Sequence, residues 1–181
     1  MRSHACFWFV GVSVLILDQA SKAWARGAFA EHQAPGYPWP GVFEFTLTFN
    51  KGIAFGLLPG IGTLLAPIAA AIAIGCWIYS YRHQAEGLLT HVAMALLGAG
   101  ALGNLYDRLI HGKVTDMLWF RAVEFPVFNV ADSSITVAAA ILLLKWAAEF
   151  APNVGHKPAG PSASSGLDSA TPGETAPNEG Q

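Results

Sequence analysis

The chain has 181 residues, of which 53% are hydrophobic and only 12% charged, with a formal net charge of -2 and a mean hydropathy of +0.41. That profile is far from a soluble domain and points to a membrane protein. The ten Lys and Arg residues form no basic cluster suited to a nucleic-acid backbone, and Cys6 and Cys76 lie inside apolar runs where neither a disulfide framework nor paired zinc ligands can be assembled.

Four segments are long and apolar enough to cross a hydrocarbon core of about 30 Å, which takes about 20 helical residues. They run approximately from Phe7 to Ala25, Ile61 to Ser80, Leu88 to Tyr106 and Val130 to Ala148. The first imitates a cleavable secretory signal, with Arg2, an apolar stretch and the small-residue pattern Ala23-Trp24-Ala25. Asp18, Gln19 and Lys22 put polar groups just before that pattern and further apolar segments follow, so a retained membrane helix is expected.

Between the first two helices, Val42-Phe43-Glu44-Phe45-Thr46-Leu47-Thr48-Phe49 mixes β-branched and aromatic residues with polar ones, and its Pro35-Gly36 and Pro38-Trp39-Pro40-Gly41 flanks are turn chemistry. A small half-buried sheet at the membrane surface is expected here. Tyr81 to Gly87 is a short polar connection, while the loop from Asp107 to Asn129 is longer, with an extended piece expected around Val123 to Val127. From Pro152 on, Pro, Gly, Ser, Ala, Thr and Glu dominate. Such a composition does not offset the entropy of folding, so residues 151–181 read as a disordered tail after a membrane domain of residues 1–150.

In an up-down-up-down path, helices one and three end, and helices two and four begin, at the same membrane face. Asp18, Lys22, Asn50, Asn104, Asp107, Arg108, Asp116, Asn129 and Asp132 all fall at that level. Of the cations there, Lys22 and Arg108 stand beside acids. Without them, Arg26, Lys51, Lys113 and Arg121 face Arg2, Arg82, Lys145 and Lys157 at the other end, so the positive-inside rule leaves the orientation open.

Ionisable groups at membrane depth cost about 2.5–3.5 kcal/mol each on insertion scales, so several gathered at one level ask for a function. Asp18 and Lys22 are spaced i, i+4 and can pair, either as an interfacial anchor or as part of a site. Asp107 and Arg108 are adjacent, so one is expected to face the site and the other the headgroups. Asp116 and Asp132 are the candidates for catalysis: like charges brought close raise one pKa and leave a shared proton, giving an acid and a base together. Asp132 falls in the first turn of helix four, where the helix dipole favours negative charge, which suggests Asp132 as the ionised base and Asp116 as the protonated acid. The six histidines are dispersed and present no ligand pair at helical spacing, so no metal or other cofactor is expected. A proton or ion pathway is the alternative for such acids; the absence of repeated or broken helices in matching halves counts against it.

Four blocks carry a family resemblance: Asp18-Gln19-Ala20-Ser21-Lys22; Asn50-Lys51-Gly52-Ile53-Ala54-Phe55-Gly56; Gly100 through Leu109 into Gly112-Lys113-Val114-Thr115-Asp116; and Phe128-Asn129-Val130-Ala131-Asp132-Ser133. In this order and at these depths the chain resembles the lipoprotein signal peptidase (signal peptidase II) family from residue 7 to about 148.

The resemblance implies an all-α integral membrane fold, a four-transmembrane-helix bundle with a small extracytoplasmic β-sheet cradle in the first large loop. It also implies an aspartic endopeptidase with Asp116 and Asp132 as the dyad and Asp18, Lys22, Asn50, Gly52, Gly100, Asn104, Arg108, Asn129 and Ala131 lining or supporting the site. The implied substrate is a diacylglyceryl-modified prolipoprotein cut before the lipidated cysteine. The implied setting is the bacterial cytoplasmic membrane, with both termini cytoplasmic, the site near the outer face and lipid tails between the helices. A monomer suffices to enclose such a site. Asn104 and Asn129 suit a peptide carbonyl or the orientation of the dyad, and Arg108 a carbonyl or headgroup oxygen. Gly100 and Gly103 leave room for substrate or for a neighbouring helix. Met117, Ala138 and Ala99 depart from the family pattern without removing a polar group.

Overall fold

The computed structural model describes residues 2–52 and 65–150; the expected tail, residues 61–64 of the second apolar segment and the Ile53 to Gly56 part of the block that begins at Asn50 lie outside them. Four α-helices are present among the described residues: α1 (Arg2–Ala28), α2 (Ala66–Arg82), α3 (Leu88–His111) and α4 (Val130–Phe150). Among the described residues, three are long and apolar enough to cross a membrane: Ser3–Ala28, Leu88–His111 and Val130–Glu149. The described part of α2 has 17 residues, with Pro67 in its first turn, where a missing N–H removes no helical bond.

Helix α3 is the hub of the bundle, packing on α1, α2 and α4. Its sequence explains the position. Thr90, Ala93, Ala95, Gly98, Ala99, Gly100, Ala101 and Gly103 are all buried, and small side chains let helix backbones approach closely where no solvent drives them together. A Cβ on Gly100 would lie 2.5 Å from Ser134 Oγ and 2.6 Å from the Ala131 carbonyl, so the space at Gly100 belongs to α4. The lipid-facing exteriors of α1 and α4 carry exposed Phe9, Ile16, Leu17, Leu143, Leu144 and Trp146, as bilayer solvent permits.

Both α1 and α3 outrun their expected bounds. Asp107 and Arg108 do not end α3, because their polar groups find partners inside the protein; the helix closes at Gly112, whose φ of 66° and N–H bond to the Arg108 carbonyl make a left-handed cap.

The sheet also differs from expectation. It joins both large loops in the order β1 (Pro38–Trp39), β2 (Phe43–Asn50), β3 (Val114–Trp119), all antiparallel. The extended element of the second loop is therefore residues 114–119. Residues 121–123 form a 3-10 turn, and Glu124 at φ 47° turns the chain before Pro126. The bridge from Leu118 to Phe128 returns the chain to β3. In β2, Glu44 is fully buried. It accepts the Gly41 N–H at 2.6 Å and the Arg121 guanidinium at 3.0 Å, which hold its carboxyl below the usual range and pin the tip of the sheet. Met117 packs with Ala25, Phe29 and Leu47 in the core between α1 and the sheet.

Candidate active site

The polar residues scattered along the chain meet where α1, α3, α4 and β3 converge. Asp116 enters from β3, opposite Thr48 of β2, and Asp132 from the first turn of α4. Asn129 precedes that helix and fixes its start. Its side-chain oxygen accepts the Asp132 N–H at 2.9 Å, and its own N–H donates to Asp132 Oδ2 at 3.3 Å. This is the reciprocal arrangement of a capping box, with Asn and Asp in the two roles. The Asn-x-x-Asp spacing both starts the helix and dictates how one acid is held.

Two amides bind the two acids into one unit. Asn129 Nδ2 donates to Asp116 Oδ1 at 2.6 Å and to Asn104 Oδ1 at 3.1 Å, and Asn104 Nδ2 donates to Asp132 Oδ1 at 2.7 Å. Lys22, wholly buried, reaches Asn104 Oδ1 at 3.0 Å and Asp18 Oδ2 at 2.8 Å. Asp18 does not open towards a ligand: its Oδ1 accepts the Ala131 N–H at 2.9 Å, capping α4 from α1. A Cβ on Gly103 would fall 2.5 Å from Asp18 Oδ2, so glycine there makes room for that cap. Asn50 closes a turn onto the Gly52 N–H at 2.9 Å and its side chain also hydrogen-bonds Asp116.

Burial first, and then the charge of Asp132, push the Asp116 carboxyl up to about 7, against the lowering pull of Asn129, Lys22 and Asn50. Near neutral pH this acid therefore stands close to half protonated.

The adjacent Asp107 and Arg108 do not divide between site and headgroups. Asp107 is fully buried, its Oδ2 accepting the Thr115 N–H at 2.8 Å with Lys22 at 3.8 Å. Arg108 is half-buried, with Nη2 3.5 Å from the Gly52 carbonyl and Nη1 3.3 Å from the Asn104 carbonyl. Both turn inward because α3 has neighbours on several sides. Arg26, missed by sequence reasoning, lies 3.8 Å from Asp107 and donates to Thr115 Oγ1 at 2.8 Å. The i, i+4, i+8 spacing of Asp18, Lys22 and Arg26 on one helical face was the signal that could have found it.

By its fold, a helical bundle with apolar spans and a small antiparallel sheet, the chain is like the bacterial membrane enzymes. A solved structure described as a bacterial membrane enzyme at 2.3 Å resolution superposes with a TM-score of 0.73 at 30% identity, over 79% of this chain and 88% of that one. A second, at 1.9 Å, gives 0.69 at 31% identity over 77% and 91%. The family model for signal peptidase (SPase) II matches residues 10–148. The lipoprotein signal peptidase of Synechocystis sp. is 38% identical over 83% of this chain and 91% of its own length. That of Gloeobacter violaceus is 37% identical over 76% and 79%, and that of Aquifex aeolicus 37% over 76% and 83%. The chain belongs to the signal peptidase II family, and is a membrane peptidase that processes the signal peptides of lipoproteins.

Proposed function

We propose that the chain is an aspartic endopeptidase that cuts diacylglyceryl-modified prolipoproteins just before the lipidated cysteine, with Asp116 and Asp132 activating water. The observation that carries this reading is the linked unit Asp116–Asn129–Asn104–Asp132, in which Asp116 is pushed up to about 7.

Asp132, at the N-terminus of α4, accepts a proton from water as its oxygen attacks the scissile carbonyl carbon. Asp116, protonated, donates to the carbonyl oxygen as charge develops there. Collapse of the tetrahedral intermediate breaks the C–N bond: the proton held by Asp132 passes to the leaving amine, and Asp116 recovers its own from the intermediate hydroxyl. The products are a carboxyl terminus on the signal peptide and a free α-amino group on the cysteine. Asn104 and Asn129 hold the two acids in register, and Lys22 supplies a buried positive charge that opposes the rise of Asp116.

A lipid-tethered cysteine sits at headgroup level, the depth at which these helix ends and strands meet. The reading accordingly sets the site near the outer face of the cytoplasmic membrane, both termini inside, a fourth span through the apolar segment containing α2, and a monomer as the working unit. Lipid tails remain between helices. The test is cleavage of a diacylglyceryl-modified prolipoprotein by purified protein in detergent. The native chain is expected to cut before the lipidated cysteine, while folded Asp116→Asn and Asp132→Asn do not; near-native activity in either variant would exclude the dyad mechanism.

A further inference from the structure

A cavity of about 410 Å3 opens beside Asp116, lined among others by Glu31, His32, Thr48, Lys51, Gly52 and Val127. Its size is that of a ligand site, for which about 300–1,000 Å3 is usual. Every wall comes from outside the helices: residues 31–32 follow α1, residues 48–52 end and follow β2, Asp116 is on β3, and residues 126–127 precede α4.

The charges are placed at two ends. Asp116 stands level with Thr48 in the sheet. On one side of that level, His32 is tied by its N–H to the Leu47 carbonyl at 2.8 Å in a left-handed turn of φ 64°. That turn sets Glu31 and His32 on the cavity wall with their side chains 51% and 75% exposed, 3.8 Å apart. On the other side, Lys51 follows Asn50, whose side chain bonds Asp116. Asp116 thus lies between an acidic and a basic rim.

The walls set Glu31, Thr48 and Lys51 beside Phe49, Pro126 and Val127, and neither the wholly apolar stretch of a signal peptide ahead of its cleavage site nor an acyl chain, which belongs in the bilayer, suits that mixed lining. The part of the substrate that does is the polar start of the mature chain. We propose, resting on the peptidase reading above, that this cavity receives the residues that follow the lipidated cysteine, and that Lys51 and Glu31 read their charge. The enzyme then discriminates among prolipoproteins by the first side chains of the mature protein, a selection made on the far side of the scissile bond from the signal sequence.

The test uses three diacylglyceryl-modified prolipoprotein peptides that differ only at the second residue after the cysteine, which is Asp, Ser or Lys. The ratio of kcat/KM for the Asp peptide to that for the Lys peptide is measured for native protein, Lys51→Glu, Glu31→Lys and the control Arg82→Glu at the opposite end of α2. Lys51→Glu should lower the ratio and Glu31→Lys raise it, each by about threefold to fivefold, the scale of an exposed ion pair. High salt should shrink both shifts, and Arg82→Glu should keep the native ratio. Ratios equal to the native one in both rim variants, with the native protein cleaving all three peptides, would overturn the cavity assignment and leave the peptidase reading standing. Failure of the native protein to cut the Ser peptide would overturn both.

Discussion

Asn129 donates its side-chain amide to Asn104 Oδ1 at 3.1 Å, and that contact adds a second link, through Asn104, between the carboxylates of β3 and α4 that Asn129 itself already bridges. Asn129 serves both acids, Asn104 serves Asp132, and the bond between the two amides ties their orientations together.

Asn104→Ala and Asn129→Ala should each lower kcat about 100-fold or more, the scale seen when one preorganised donor is lost. Because the two act as a unit, the double variant should be little worse than the more severe single variant. Single-turnover cleavage measures this, and multiplicative losses would show that the amides act separately.

The proton on Asp116 sets a pH limit. Its carboxyl stands at about 7, against an ordinary value of 3.8, so the folded chain holds a proton there that the unfolded chain has released. The stability from this group is full below the unfolded value and is lost as pH rises through about 7. Activity that needs Asp116 protonated should decline over the same range. Asp116→Asn should therefore melt higher than the native protein at pH 8, by about 1–3 kcal/mol, with a smaller advantage at pH 5. Thermal denaturation in detergent at the two pH values checks the sign. In Asp132→Asn, the Asp116 carboxyl should titrate lower, read by infrared absorption of its protonated form, because the neighbouring charge that raises it is gone.

Asp107 positions the strand that carries Asp116. Its carboxylate receives the Thr115 N–H and lies 3.8 Å from both Lys22 and Arg26, wholly out of solvent. Asp107→Ala leaves the buried Thr115 N–H without its acceptor and removes the acid beside Lys22 and Arg26, and should cost about 1–3 kcal/mol. Asp107→Asn keeps an acceptor for Thr115 and should cost less. Denaturation midpoints of the two variants, taken together, separate lost charge from lost hydrogen bonding.

Gly100→Ala and Gly75→Ala form a matched pair. A Cβ at Gly100 would come within 2.7 Å of three atoms of α4, whereas none lies within 4 Å at Gly75. Gly100→Ala should force α3 and α4 apart, lowering both the melting temperature and activity; overpacking of this kind costs about 1–3 kcal/mol or more. Gly75→Ala should leave both near native values. Equal effects at the two positions would contradict the close α3–α4 contact.

Much of this molecule was readable from its residues. The apolar segments located all four helices, since burial in lipid demands long uninterrupted hydrophobic runs. Connectivity alone placed Asp18, Lys22, Asn104, Asn129 and Asp132 at one level, and the alternation from Val42 to Phe49 marked β2. Those signals are local: period, length and composition along a single stretch of chain.

What the residues alone left undecided involved contacts across the chain. The pattern of residues 114–119 became a strand because β2 pairs with it, while in residues 123–127, also rich in apolar side chains, Glu124 at φ 47° and Pro126 turn the chain instead. Asp107 and Arg108 both point inward because α3 is surrounded, which a helical wheel of one segment does not reveal. Asp18 looked like one half of an ion pair, yet it also caps α4 from 113 residues away. Whether Gly100 admits substrate or a helix was settled by Ser134, Ala131 and Ile135 filling the space. Hydrophobic patterning sets which segments are buried, but the pairing of buried polar groups depends on partners distant in sequence, and only the folded chain brings those partners within hydrogen-bonding distance.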